Sequence, residues 1–274
     1  MPCRPILLAR WLAFSLLTLG LGAAALADEA TELAKKKQNP IADLTSLSFD
    51  NGTSFGAGSH HRWQNELDIR PIVPFHLTED WYLVTRTIVP VIRQPHEDSP
   101  TGETWGLGDI TFTGFLATAK VSGLTWGAGP VVTLPTATDD ALGSRKWGLG
   151  PSAAAIVSPG DWVLSVLAQN VWSVAGNKDR PDVSQFLLKY SVNYNFPDGW
   201  YLTSGPTITA DWKAEAGRRW VVPVGGGFGK VFTLGRQPMT LETQAFYNLE
   251  RGTDVGNWSL SLQLQFLFPQ DGGM

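Results

Sequence analysis

Glu66, Asp68 and Arg70 stand two residues apart in one short stretch. On a β-strand that spacing sends all three side chains to the same face, because side chains alternate with a period of two. Two carboxylates and a guanidinium so placed can pair with one another, bias passing ions or grip a polar solute. Arg86, Asp109, Gln169, Lys189 and Glu242 join them on one common face if their segments are strands of a single closed sheet. This polar set reads two ways, as a solute pathway or as a paired network that holds the sheet's shape, and the sequence leaves both open.

Other chemistries fit less well. Gly225-Gly-Gly-Phe-Gly-Lys230 has the look of a phosphate loop, but Val224 stands where the first glycine belongs and Val231 where a hydroxyl is needed. His60 and His61 are adjacent, so on a strand they point to opposite sides and make a poor metal pair. Asp139-Asp140 reads as a solvated acidic loop rather than a calcium site. A hydrolase would need a nucleophile, a histidine base and an orienting group, and the four histidines offer no such constellation and no Gly-x-Ser-x-Gly elbow. We expect no catalytic residues, no cofactor and no metal.

The elements that must position the polar set are strands. In residues 183–196, Phe186, Leu188, Tyr190, Val192, Tyr194 and Phe196 alternate with Gln185, Lys189, Ser191, Asn193 and Asn195, with Leu187 as the exception. Residues 64–75, 239–250 and 258–268 alternate in the same way, and a one-residue slip would invert each face. Further strands fall near 80–92, 105–118, 124–134, 146–158, 161–173, 200–212 and 219–232. Their connections alternate between short turns (76–79, 119–123, 159–160, 197–199, 233–238) and mostly longer polar loops (93–104, 135–145, 174–182, 213–218, 251–257). That alternation is the signature of an up-and-down barrel with periplasmic turns and extracellular loops. Such a barrel needs an even strand count. Residues 45–57 supply the ascending strand that must precede 64–75, which makes about twelve antiparallel strands, an all-β transmembrane barrel. Pro71, Pro90, Pro130, Pro151, Pro206 and Pro223 fall inside these strands and predict bulges or portions standing clear of the membrane.

Tryptophan placement separates this barrel from a soluble sandwich. Trp81, Trp126, Trp162 and Trp200 fall at the lower ends of ascending strands, and Trp63, Trp105, Trp147, Trp172, Trp212, Trp220 and Trp258 near upper ends. Two such belts suit the two membrane interfaces, where an indole finds an apolar body and a wet N–H. A sandwich would bury its tryptophans in mid-strand. The repeated Trp-Gly-x-Gly at 105, 126 and 147 fits strand-end chemistry, since successive copies fall on strands of opposite direction.

Composition agrees. The 274 residues are 43% hydrophobic and only 17% charged, below the roughly 25% usual in soluble domains. Lys and Arg number 21 against 25 Asp and Glu, so no basic surplus points to nucleic acid. Residues 1–27 read as a secretory signal peptide: Arg4 and Arg10, an uncharged run from Leu12 to Leu26, and cleavage near Ala27. The single cysteine, Cys3, would leave with it, which excludes thiol chemistry from the exported protein. Residues 28–43 are then a periplasmic N-terminal segment, too short to plug a lumen, 44–270 the barrel and 271–274 a tail.

Several stretches carry a family resemblance: Thr133 to Gly143, Lys146-Trp147, Gly150-Pro-Ser152, Asn39 to Leu44, Trp105 to Ile110, Phe196 to Ser204 and Gln263 to Phe268. They resemble a bacterial family of exported β-barrels labelled "MetA-pathway of phenol degradation", sometimes mislabelled neuromedin U. The resemblance covers nearly all of the exported chain. It implies an outer-membrane protein passing small, hydrophobic or aromatic solutes, with outer-membrane lipid around it. The barrel-assembly machinery would engage the last strand, which ends at the aromatic Phe268. The alternatives are a structural or surface-interaction barrel that transports nothing and, third, a lipid-modifying enzyme.

Overall fold

The protein is described by a computed structural model covering residues 30–96, 99–118, 123–252 and 255–269. The signal-peptide and C-terminal tail assignments and Cys3 lie outside the described residues. Fourteen strand segments follow in order: β1 (Thr45–Ala57), β2 (Arg62–His76), β3 (Trp81–Pro95), β4 (Glu103–Leu107), β5 (Ile110–Thr118), β6 (Leu124–Leu134), β7 (Lys146–Val157), β8 (Trp162–Gly176), β9 (Ser184–Asn195), β10 (Trp200–Ser204), β11 (Thr207–Asp211), β12 (Trp220–Leu234), β13 (Gln237–Glu250) and β14 (Trp258–Phe268). Each pairs antiparallel with its neighbours, and β1 closes the ring on β14 from Thr45↔Phe268 to Phe55↔Trp258.

Two staves of this ring are each built from two segments. β4 and β5 both pair with β3, and β10 and β11 both pair with β9 and β12, so the fourteen segments make a closed barrel of twelve staves. The uninterrupted strands expected over 105–118 and 200–212 are therefore each broken. At the first break Gly108 donates to the Pro90 carbonyl while the Asp109 carboxylate turns to the loop above it. At the second, Pro206 has no N–H for the ladder and the Gly205 N–H goes to the Gln244 side chain at 3.0 Å. Pro223 falls at a register shift between β12 and β13, and Pro130 and Pro151 face each other across β6 and β7.

The outer face is a continuous apolar surface. Leu116, Leu149, Val166, Leu241, Leu260 and Leu262 are exposed on it, alternating with inward polar positions. Aromatic side chains cluster at its margins. Trp81 meets Trp126 edge-to-face at 5.9 Å and Trp162 meets Tyr194 at 4.9 Å at the turn end, while Phe55 stacks on Trp258 at 4.1 Å and Trp212 meets Trp220 at 5.5 Å at the loop end. Trp162 opens β8 and Trp172 lies ten residues on, toward its loop end. At about 3.3 Å per residue and a tilt near 40° that separates the belts by about 25 Å, the height of an outer-membrane apolar band. Water would leave this face unsatisfied, and acyl chains match it, so the barrel is built to span a membrane.

The barrel is not hollow throughout. Residues 30–37 form a short helix lodged, with 38–44, inside the end that carries the short turns. Ile41 packs with Tyr82, Val84, Phe115, Ala117, Ala154 and Leu167, all from inward strand positions, and Ala34, Ala42 and Leu44 pack with Tyr201, Val231 and Leu267. The expectation that this segment is too short to fill the lumen is corrected: the inward positions near the turns are themselves apolar, so fifteen residues of chain complete the seal. Gly229 is one place where the seal needs a glycine, since a Cβ there would overlap the Tyr201 ring.

Candidate functional site

Above the seal lies a cavity of about 1300 Å³ that reaches up among the long loops. Glu66, Asp68, Arg70, Arg86, Asp109, Gln169 and Lys189 line it, brought together from five staves by the alternation of their strands. Glu242 also points inward but lies below, against the N-terminal segment, where it accepts from Lys37 Nζ at 2.7 Å and from the Tyr201 hydroxyl at 2.8 Å.

The charges are only partly paired. Arg70 bridges Asp50 on β1 at 2.5 Å and Asp68 on its own strand. Asp50 also accepts from Ser261 at 3.0 Å and Gln263 at 3.4 Å. Asp109 accepts from the Ala137 N–H at 3.1 Å, the Ser144 N–H at 2.7 Å and the Ser144 hydroxyl at 2.8 Å, so it anchors the loop at 135–145. The Arg86 and Lys189 side chains make no hydrogen bond or ion pair with protein among the described residues. Across the β2–β3 hairpin Arg86 faces Ile72, not a carboxylate, so the hairpin brings no ion pair to it.

The cavity wall is amphipathic. Ile88, Val171, Val183 and Leu187 share it with the charges, and Leu187, the exception to the alternation of its strand, is one of the apolar residues that face inward. Among the longer loops, Lys146 donates to Asp182 at 2.7 Å. That hydrogen bond holds the Asp182 carboxyl below its ordinary value, and Ser173 adds to it.

The remaining sequence candidates are accounted for locally. Asp139 caps the Ala141 N–H and Asp140 pairs with Arg145 at 2.6 Å, so both serve the loop. His61 has a positive φ in the β1–β2 turn, and Gly225 to Gly229 are extended in β12 with the Lys230 ammonium over the Trp200 ring at 4.8 Å. Among the described residues no group of three His, Cys, Asp or Glu is placed to hold a metal ion. His76 is engaged by Asp43 at 3.0 Å and His96 by the Thr104 hydroxyl at 2.8 Å.

Sequence reasoning missed Lys37, Gln38 and Ile41. Gln38 and Asn195 exchange two side-chain hydrogen bonds at 2.9 and 3.1 Å, and Tyr82 donates to the Ile41 carbonyl at 2.9 Å. The available signal was the apolar character of inward positions near the turns, such as Val84, Phe115 and Val163, which a wet lumen does not require.

Comparison with known proteins follows the same lines. Residues 47–270 match the model of the family described as "Putative MetA-pathway of phenol degradation". The COG4313 outer membrane channel from Pseudomonas putida F1 aligns at a TM-score of 0.64 and 17% identity, over 84% of this chain and 96% of that one. The KdgM porin in complex with disordered oligogalacturonate aligns at 0.48 and 6% identity, over 82% and 99%. Outer membrane phospholipase A from Escherichia coli aligns at 0.43 and 11%, over 83% and 97%. The last two are too loose to bear on function. No curated protein matches by sequence.

Proposed function

The chain belongs to the MetA-pathway of phenol degradation family, and on that premise we propose that it is an outer-membrane barrel that passes small, hydrophobic or aromatic solutes through its lumen. The observation that carries this reading is the cavity of about 1300 Å³ that reaches the long loops and has both charged and apolar walls. A purely structural barrel has no use for such a space, whereas a solute with an apolar body and a polar end can be accommodated in it. The likeness to a bacterial outer membrane channel supports the same fold in the same kind of bilayer. Outer-membrane lipid would cover the apolar band, and the last strand, β14, ending at Phe268, would meet the assembly machinery.

The filled turn end favours a second reading, a barrel that transports nothing. It also states what transport requires: the 30–44 segment must shift, or solute must thread beside it. The discriminating experiment is uptake into liposomes of a neutral aromatic solute together with planar-bilayer conductance. Uptake that depends on folded protein supports the solute reading. Neither uptake nor conductance from protein shown to be folded would leave the structural barrel.

A further inference from the structure

We propose that the floor of the lumenal cavity is a binding site for the carboxylate of a small organic acid, held by Arg86 and Lys189 with its apolar body against Ile88 and Leu187. The proposal rests on the reading of the lumen as a solute path and names the class of solute.

Val84 and Ile72 belong to the apolar seal or pack against it, and Arg86 and Arg70 are the next inward residues above them on β3 and β2. On the far side Leu167 is part of the seal, and Lys189 on β9 stands directly opposite it in the β8–β9 ladder. All three cations therefore stand at the border of the seal and face the same cavity, Arg86 opposite Ile72 and Arg70 two residues nearer the loops.

Charge accounting then singles out two of them. Arg70 is neutralised by Asp50 and Asp68. Neither carboxylate makes an ion pair with Arg86 among the described residues, and Asp50 is further occupied by Ser261 and Gln263. Glu242, the other acid near Lys189, is bound by Lys37, Tyr201 and Gln244. Glu66 lines the cavity as well, but four residues above Arg70 toward the loops. Among the described residues, two cations on opposite walls, Arg86 on β3 and Lys189 on β9, are thus left without a hydrogen-bonding or ion-pairing protein partner. A cation partly removed from water is stabilised by an anion, and a guanidinium and an ammonium that line one cavity offer a carboxylate donors from both walls.

The neighbours make the ligand organic. Ile88 is the next inward residue above Arg86 and Leu187 the next above Lys189, and both line the cavity. A bare inorganic ion would leave these surfaces wet. A carboxylate carrying a small apolar body covers them while its head meets the two cations.

The test uses detergent-solubilised full-length exported protein and calorimetric titration with two probes of one shape, benzoate and benzyl alcohol. Wild-type protein should prefer benzoate by about tenfold, the scale of one recovered charge-assisted contact. The Arg86→Met/Lys189→Met protein, shown folded by its heat-modifiable gel mobility, should lose that preference. Equal binding of the two probes by wild-type protein, an unchanged preference in the double variant, or displacement of benzoate by an equal concentration of chloride would each overturn the site. The comparison of probes on wild-type protein stands even if the double variant fails to fold. Liposome uptake is scored separately: benzoate binding without passage of any solute would sink the transport reading and keep the site, and uptake of neutral solutes without benzoate preference would do the reverse.

Discussion

Lys37, in the N-terminal helix, donates to the Glu242 carboxylate on β13 at 2.7 Å, and both side chains are nearly buried, 5% and 12% exposed. The contact joins residues 205 apart in sequence and fastens the segment inside the barrel to its wall. Lys37 also lies over the Tyr201 ring at 5.0 Å, while the Tyr201 hydroxyl donates to the same carboxylate. One lysine thus closes a charged knot in the middle of an apolar seal.

Lys37→Met should therefore cost about 3–5 kcal/mol of stability, because it leaves Glu242 buried without its cation. Denaturant unfolding in detergent checks the cost. Lys37→Met/Glu242→Gln should recover most of it, since no buried charge remains. Single-channel conductance should rise in Lys37→Met relative to wild type. Unchanged stability and unchanged conductance would mean that the segment does not seal the lumen in solution.

Gly229→Leu should disturb the same seal from the opposite side. A side chain there meets the Tyr201 ring and forces it away from Glu242. Overpacking of this kind costs about 1–3 kcal/mol. Tyr201→Ala combined with Gly229→Leu should cost less than the sum of the two changes, because the clash is gone, and a thermodynamic cycle on refolded protein measures the coupling.

Orientation can be read chemically. Lys178→Cys and Ala141→Cys, on exposed long-loop positions, should react with an impermeant thiol reagent on whole cells. Glu79→Cys and Pro159→Cys, in exposed short turns, should react only after the cells are opened. Gly143 is a poor choice of label site, because a side chain there meets Ala137 and Asp109. Labelling of Glu79→Cys in intact cells would invert the topology.

The loop end has one acid with a defined pH response. Lys146 holds Asp182 below its ordinary value, so this contact is present above the unfolded carboxylate value and is lost as pH falls through the lower folded one. The group is exposed, so the effect is local. Cleavage of residues 177–183 by an acid-active protease should increase only once the pH drops below the ordinary carboxylate range. Asp182→Asn should remove that pH dependence, and an identical profile in the variant would assign it elsewhere.

Much of the barrel was legible because period-two alternation acts on every stave. β1, β6 and β14 fall on 45–57, 124–134 and 258–268 as expected, since apolar runs such as Leu260, Leu262 and Leu264 admit one register only. The two breaks were not legible. Gly108 and Gly205-Pro206 resemble other glycine and proline positions inside strands, and what marks the breaks is long-range: Asp109 binds the loop at 135–145 and Gln244 takes the Gly205 N–H. The seal escaped for a similar reason. Ile41, Ala42 and Leu44 form too short an apolar stretch to stand out, and the Ile41 partners Val84, Phe115 and Ala154 are scattered over separate strands. The charge pairing was half legible: strand spacing placed Arg70 beside Asp68, but only the β1–β2 register reveals Asp50 as the other partner and leaves Arg86 opposite Ile72.

The last prediction tests which side of the sheet is wet. Leu188 and Lys189 are adjacent on β9, and their side chains point to opposite faces. Leu188 lies beside Ala168 and Ile208 on the neighbouring staves, in the outward row, at a level roughly midway between the two belts. Leu188→Arg should cost about 2–4 kcal/mol, the cost of a guanidinium facing acyl chains near mid-depth. Lys189→Gln should cost far less, because its terminal group faces a cavity that water reaches and no protein ion pair is broken. Reversible unfolding in lipid vesicles measures both. A sheet with its dry core on the Lys189 side and water on the Leu188 side would give the opposite order or no difference, since an arginine on a wet face costs little. Equal destabilisation by the two substitutions would thus remove the membrane-facing assignment of the outer surface and, with it, the solute path inside.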